Sequence, residues 1–190
     1  MLASGSPQRA EILRAHGVSF DVRPPSVVEL QEGEPAEVAL ANARAKAEAG
    51  RAALADSEAR DHVVLGADTL VALGPKIYGK PVDQEQARQF LTELSRAPHE
   101  VIGGIVVIDG DGVSRAAVTR TEVEFRDLSA DEVDAQVALD EWRGRAGGYA
   151  IQLSGDELVA EIGSDRLNVV GLSIVALNGL VQGLLPSGSG

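Results

Sequence analysis

The sequence contains no cysteine. A disulfide-stapled secreted fold is therefore excluded, along with thiol catalysis and cysteine-based zinc sites. Aromatic residues make up only 3% of the chain, so its core must pack from aliphatic side chains, chiefly Ala and Val. Basic residues are also few: 17 Lys and Arg face 29 Asp and Glu, for a formal net charge of −12. Nucleic acids and anionic membranes call for a basic surface, so neither is expected as a partner. A small anionic substrate stays open, because a divalent cation and a few local Lys and Arg side chains can invert the potential inside one cleft. The three histidines, His16, His62 and His99, lack metal-ligand spacing. No apolar run approaches the roughly 20 residues that span a bilayer, and no charged-then-apolar leader precedes Leu2, so a cytoplasmic location is expected. Gly5-Ser6-Pro7 is not the Gly-x-Ser-x-Gly elbow of serine hydrolases, and Gly171 with its neighbours makes no dinucleotide fingerprint.

What is present begins at the first residues, Leu2-Ala3-Ser4-Gly5-Ser6-Pro7-Gln8-Arg9. They read as the end of a strand, a small-residue loop and the start of a helix. The Ser6 hydroxyl is placed to cap that helix, and Pro7 suits its first position, where an N–H would go unpaired anyway. Gly17 marks its end. A small-residue loop feeding a helix N-terminus exposes several backbone N–H groups and suits an anion such as phosphate. Arg9 in the first turn adds a charged fork. A capped surface helix explains the same spacing, and the rest of the chain has to decide between the two.

At 190 residues the chain has room for one good-sized domain or two small lobes sharing a core. Val18–Val22 alternates as a short strand, and Val27–Pro35 is an acidic loop with Glu29, Glu32 and Glu34. An Ala-rich helix runs from Glu37 to about Ala55, with Val38, Leu40, Ala41, Ala45 and Ala49 at helical spacing, and it carries Lys46. Asp56–His62 reads as a polar connection. Val63–Ala67 is a buried strand with Asp68 at its end, and Leu70–Leu73 continues in extended form. Gly74-Pro75 and Gly79-Lys80-Pro81 are turns. Asp83 and Gln86 resemble a capping box for a helix burying Ala87, Phe90, Leu91 and Leu94. Val101–Ile108 is a strand in which Gly103-Gly104 marks a bulge or a close approach. Asp109–Gly112 turns the chain into a returning strand ending near Phe125. Ser129 and Glu132 open a helix ending near Trp142. Gly144–Gly148 reads as a flexible loop, and Tyr149–Gln152 and Leu158–Ile162 as short extended pieces. A last helix, capped by Ser173, is apolar through Leu185. The expected architecture is α/β: a mixed, twisted sheet with flanking helices, as one domain over 1–185 with a flexible tail at 186–190.

Asp68, placed directly after a buried strand, would stand at the sheet's carboxyl edge, where α/β proteins hold ligands. It could bind a metal or activate water; an Asp turning with Thr69 is the plainer explanation. Arg9, Lys46 and Lys80 are candidate phosphate ligands. Glu29 could complete a metal site with Asp68, and such hard oxygen ligands suit magnesium or manganese. The residues alone reach an α/β protein with metal-dependent phosphate chemistry as its candidate activity.

In order along nearly the whole chain, these residues resemble the Maf family of nucleoside triphosphate pyrophosphatases. The match comprises Leu2-Ala3-Ser4-Gly5-Ser6-Pro7 with Arg9, Glu29, Lys46, Gly66-Ala67-Asp68-Thr69, Gly79-Lys80-Pro81, Ala87, Leu91 and His99. It continues through Thr121-x-Val123-x-Phe125, Ala146–Gln152 and Asn168–Leu172. The resemblance implies an enzyme splitting nucleoside triphosphates into the monophosphate and pyrophosphate, with two lobes around a deep cleft as in inosine triphosphatases. It implies Asp68 as general base and metal ligand, Glu29 as second metal ligand, and Ser4, Arg9, Lys46 and Lys80 as triphosphate ligands. A divalent cation (magnesium, manganese or cobalt) and a homodimer are implied with it.

The family has a type favouring dTTP and UTP and a type favouring 7-methyl-GTP. Thr69 and Gln152 fit the pyrimidine type, whereas Gln8 replaces its first arginine and also differs from the bulky residue of the methylguanine type. Arg166 and Ser173 depart from a common aromatic residue and a common Pro. The reading is a metal-dependent pyrophosphatase of dTTP, UTP or modified pyrimidine triphosphates that clears non-standard nucleotides. Its alternatives are a 7-methyl-GTP pyrophosphatase and a nucleotide-binding inhibitor of septum formation.

Overall fold

The computed structural model describes residues 1–181; the expected end of the last helix at Leu185 and the tail lie outside the described residues. Five strands, β1 (Val64–Leu73), β2 (Lys76–Tyr78), β3 (His99–Ile108), β4 (Ser114–Phe125) and β5 (Val159–Ile162), form one sheet in the order β2-β1-β3-β4-β5. These neighbours pair antiparallel. The parallel component comes from Leu2, which bridges both Leu65 and Val22. Val18–Val22 is thus a single bridge and not a strand.

Side chains alternate across the pleat of β1, and the two faces meet different helices. The even face carries Gly66, Asp68, Leu70 and Ala72 toward helix α2 (Pro35–Ala52). A Cβ at Gly66 would run into the carbonyl of Ala43, and one at Gly104 on β3 into that of Ala39. The Gly103-Gly104 pair is therefore a close approach, with regular pairing to Thr69 and Asp68 and no bulge. The odd face carries Leu65 and Ala67, which pack with helix α1 (Pro7–Ala15) and with helix α7 (Ile174–Leu180), which follows the short helix α6 (Arg166–Val170). Farther along the same face, Val71 meets helix α4 (Gln84–Leu94), helix α5 (Ala130–Ala138), Trp142 and Tyr149. Two lobes with separate apolar clusters therefore share one sheet. In the second lobe, burying Leu91 and Leu94 on α4 contributes about 2 kcal/mol each.

Several local expectations are corrected. Asp56–Asp61 forms a short helix, α3. Asp83 accepts from the Gln86 N–H at 2.8 Å, but the Gln86 side chain reaches Val82 N–H instead of its cap, so the box is only half made. The box at Ser129 and Glu132 is complete, yet α5 stops at Ala138, four residues short of Trp142. Ala146–Gly148 is a 3-10 turn with Gly147 and Gly148 buried, not an open loop. Tyr149–Gln152 follows it without forming a strand.

His99 is buried at the centre of the second lobe, edge-on to Phe125 and Tyr149, with Nε2 3.0 Å from the Tyr149 hydroxyl. Burial pushes its imidazole down to about 4 from an ordinary 6.5. Between those values the unfolded chain takes up a proton that the folded chain refuses, so stability falls as pH drops from 6.5 to 4, by roughly 3 kcal/mol at most. His99→Gln removes this term. Urea unfolding across that window is expected to show the gap between wild type and variant narrowing as pH falls; a constant gap refutes it.

Candidate active site

The cleft forms where one edge of β1 has no strand beside it. On that edge Leu2 covers Leu65, with Ala3 N–H donating to the Leu65 carbonyl at 2.8 Å. β2 pairs only with Val71–Leu73. Residues 67–70 lie in the gap between them. The Ser4–Arg9 segment enters it from one side and Gly79-Lys80, just past β2, from the other. Asp68 is thus in the middle of a strand, not beyond its end. The continuous apolar run before it was the visible signal; its pairing with Gly104 was not.

The nine residues singled out from the sequence as phosphate, metal or specificity ligands line one cavity of about 680 Å³: Ser4, Gln8, Arg9, Glu29, Lys46, Asp68, Thr69, Lys80 and Gln152. A second cavity, of about 560 Å³ around Leu13, Phe20 and Leu177, contains none of them.

At the centre, Lys46 joins two carboxylates. Its Nζ lies 2.7 Å from Asp68 Oδ1 and 2.5 Å from Glu29 Oε1. Burial pushes the Glu29 carboxyl upward, but the Lys46 hydrogen bond and the charges of Lys46, Lys80 and Arg9 outweigh it and hold the group below its ordinary value. Lys80 acts on Glu29 through charge alone. Arg9 is buried, and its fork is fixed at three points: Nε donates to the Gly171 carbonyl (2.9 Å), one terminal nitrogen to Ser4 Oγ (2.8 Å) and the other to Thr69 Oγ1 (3.1 Å). Burial lowers the Arg9 pKa, with Asp68 and Glu29 opposing; a guanidinium stays charged all the same. Thr69 also donates to Gly171 at 3.2 Å, so its hydroxyl ties Arg9 to the chain before α7. The expected Ser6 cap is present, accepting from Arg9 N–H at 3.5 Å, and Ser6 Oγ donates to Gln8 Oε1 at 3.1 Å.

The sequence reading missed Asn42. It projects from α2 one turn before Lys46, is 2% exposed, and donates to Asp68 Oδ2 at 3.0 Å. A polar residue on the buried stripe of an Ala-rich helix was the available signal. Apart from Val38 that stripe was itself misplaced: the buried residues are Pro35, Val38, Ala39, Asn42, Ala43, Lys46, Ala47 and Gly50.

The donor set bears on a metal in a specific way. Among the described residues no three His, Cys, Asp or Glu side chains cluster as a metal cage. Two hard carboxylates beside a phosphate-sized cleft fit an ion of the magnesium kind, which takes one or two carboxylates and draws further oxygens from substrate phosphates.

Arg9, Lys46 and Lys80 thus line one cleft of an α/β protein around a buried carboxylate, Asp68. A sequence model of the family described as Maf-like protein matches residues 1–184, and the chain belongs to that family. It is 42% identical over 186 residues to a dTTP/UTP pyrophosphatase of Pyrococcus furiosus, covering 96% of this chain and 93% of that one. A dTTP/UTP pyrophosphatase of Dictyoglomus thermophilum is 36% identical over 97% of this chain and 95% of its own. One from Agrobacterium fabrum is 38% identical over 96% and 90%. Among solved structures, the Ham1 protein of Staphylococcus aureus is similar over 66% of this chain and 71% of that one, with a TM-score of 0.46 and 17% identity. No described helix is long and apolar enough to cross a membrane.

Proposed function

We propose that this protein hydrolyses nucleoside triphosphates, dTTP and UTP first among them, between the α and β phosphates. The products are the nucleoside monophosphate and pyrophosphate. The observation that carries the reading is the buried Asp68–Lys46 pair, joined by the half-buried Glu29, on the wall of a cleft that Arg9 and Lys80 also line. The full-length likeness to dTTP/UTP pyrophosphatases supports the substrate class.

In this reading Lys80, with Arg9 and Ser4, binds the phosphate tail and stabilises charge building on the departing pyrophosphate. Asp68 takes a proton from the attacking water as the anhydride bond breaks. Glu29 and Asp68 would hold a divalent cation, which when bound neutralises phosphate charge and lowers the pKa of water. Lys46 keeps the two carboxylates together before that ion arrives, because two like charges this close repel without a cation between them. As in the family resemblance, a homodimer is the proposed assembly.

A panel of canonical and modified triphosphates with magnesium, manganese or cobalt tests the reading. Pyrophosphate release fastest from dTTP or UTP is expected; no release from any substrate removes it. Gln8 lines the same cleft, and its amide is tied to Ser6 by a single hydrogen bond. Gln8→Arg is expected to change the ratio of kcat/KM between dTTP and 7-methyl-GTP by about tenfold or more. A parallel change for all substrates would make Gln8 a general phosphate contact.

A further inference from the structure

Asn42 stands out among the polar side chains near the cleft because its amide bonds both to Asp68 and to the backbone of Leu30, next to Glu29. It sits in the interior of an 18-residue helix, where Asn is a poorer helix former than the Ala residues around it. Its side chain does not turn back on its own helix, as a mid-helix Asn can. The amide oxygen accepts from Leu30 N–H at 2.8 Å. The amide nitrogen donates to the Leu30 carbonyl at 3.1 Å and to Asp68 Oδ2 at 3.0 Å. Leu30 is the neighbour of Glu29 in the acidic loop. That loop exposes Val28 and half-exposes Leu30, so little apolar burial holds it down. Among the described residues, the segment from Pro24 to Gly33 makes no hydrogen bond other than the pair that Leu30 exchanges with Asn42 and the Glu29–Lys46 ion pair.

We propose that Asn42 is a positioning residue that sets the spacing of Glu29 and Asp68, an inference that rests on the pyrophosphatase reading above. One amide grips the backbone beside Glu29 on both its N–H and C=O, as a paired strand would. The same amide holds the second oxygen of Asp68 and leaves the first to Lys46. Asn42 and Lys46, one helical turn apart, thus fix both carboxylates from the same face of α2. Lys46 does so by charge and Asn42 by direction. Removing the amide leaves Glu29 tethered only through its flexible side chain and lets the Asp68 carboxylate turn.

The test compares wild type, Asn42→Leu and Asn42→Ser, each alone and with Glu29→Gln, under magnesium with dTTP. Asn42→Leu is expected to lower kcat/KM by roughly 10–100-fold, with helix content unchanged by circular dichroism. A Glu-specific protease is expected to cut the loop at Glu29, Glu32 or Glu34 several times faster than in wild type. In the Glu29→Gln background the same substitution should cost a clearly smaller factor, because part of its effect passes through Glu29. If the leucine variant fails to fold, the serine variant, too short to reach either partner, gives the same comparison. Equal factors in both backgrounds, or an active wild type whose Asn42 variants match it in rate and protease resistance, overturn the proposal alone. A wild type that releases no pyrophosphate overturns the pyrophosphatase reading and this inference with it.

Discussion

Asp68→Asn is expected to lower turnover by about 10²–10⁴-fold while leaving the fold in place. The substitution keeps the shape of a side chain that is 6% exposed and packed between α2 and β3. What it removes is the ability to take a proton, together with one of two oxygens. Lys46 and Asn42 both donate to Asp68, and an amide offers only one acceptor atom to the pair. One donor therefore loses its partner, at a cost of about 1–2 kcal/mol in stability. Lys46 keeps Glu29, so the site does not come apart. Rates of pyrophosphate release and a thermal melt check both halves of the expectation. A variant with near-normal kcat would remove Asp68 from the chemistry.

Lys46→Met is expected to have the largest effect on stability. Lys46 and Asp68 are both almost wholly withdrawn from solvent, and Glu29 partly so. Methionine fills the volume but leaves two carboxylates facing each other without a cation. Breaking a buried pair by removing one partner costs roughly 3–5 kcal/mol. For a chain of this length each kcal/mol moves the melting temperature by roughly 2–4 °C, so a loss on the order of 10 °C is expected. Added magnesium should raise the melting temperature of Lys46→Met more than that of wild type, because a divalent cation replaces the missing charge between Glu29 and Asp68. An unchanged melting temperature would mean that the lysine does not stabilise the pair, an equal magnesium response would mean that the ion does not replace its charge, and no response in either protein would mean that the carboxylates bind no ion.

The same residues show how far local pattern reaches. Ser6 as a cap, Pro7 at the first helical turn and the capping box at Ser129 and Glu132 are short-range devices, and each is present. Strands β3 and β4 followed from their apolar runs and the Asp109–Gly112 turn. The face of α2 was not legible, because alanine carries so little hydrophobic contrast that several stripes score alike. Two of the residues on the true face, Asn42 and Lys46, are polar and are buried only because the site pairs them. The position of Asp68 failed for a related reason. An Asp after an apolar run looks like a strand end when nothing shows that Gly104 pairs with it across β3. The glycines of Gly144–Gly148 signal a flexible loop, whereas Gly147 and Gly148 lie in a 3-10 turn, buried against Val71, Pro81 and Ala87.

Taken alone, the sequence determined the short elements and offered a set of candidate residues for chemistry. Arg9, Lys46 and Lys80 stand on a helix or beside a turn and Asp68 follows an apolar run, whereas Ser4 and the place of Glu29 in the site came from the family resemblance. Only the tertiary structure decided that they meet. Arg9 reaches Gly171 across 162 positions of chain, and Lys46 reaches Asp68 across 22. Such contacts depend on strand pairing, on glycines that let α2 lie against β1 and β3, and on a gap in one sheet edge. None of these is a property of a short window. Burial then makes the Lys46 pairing and the Asn42 amide decisive, because a charge or a donor withdrawn from water must find its partner inside the protein.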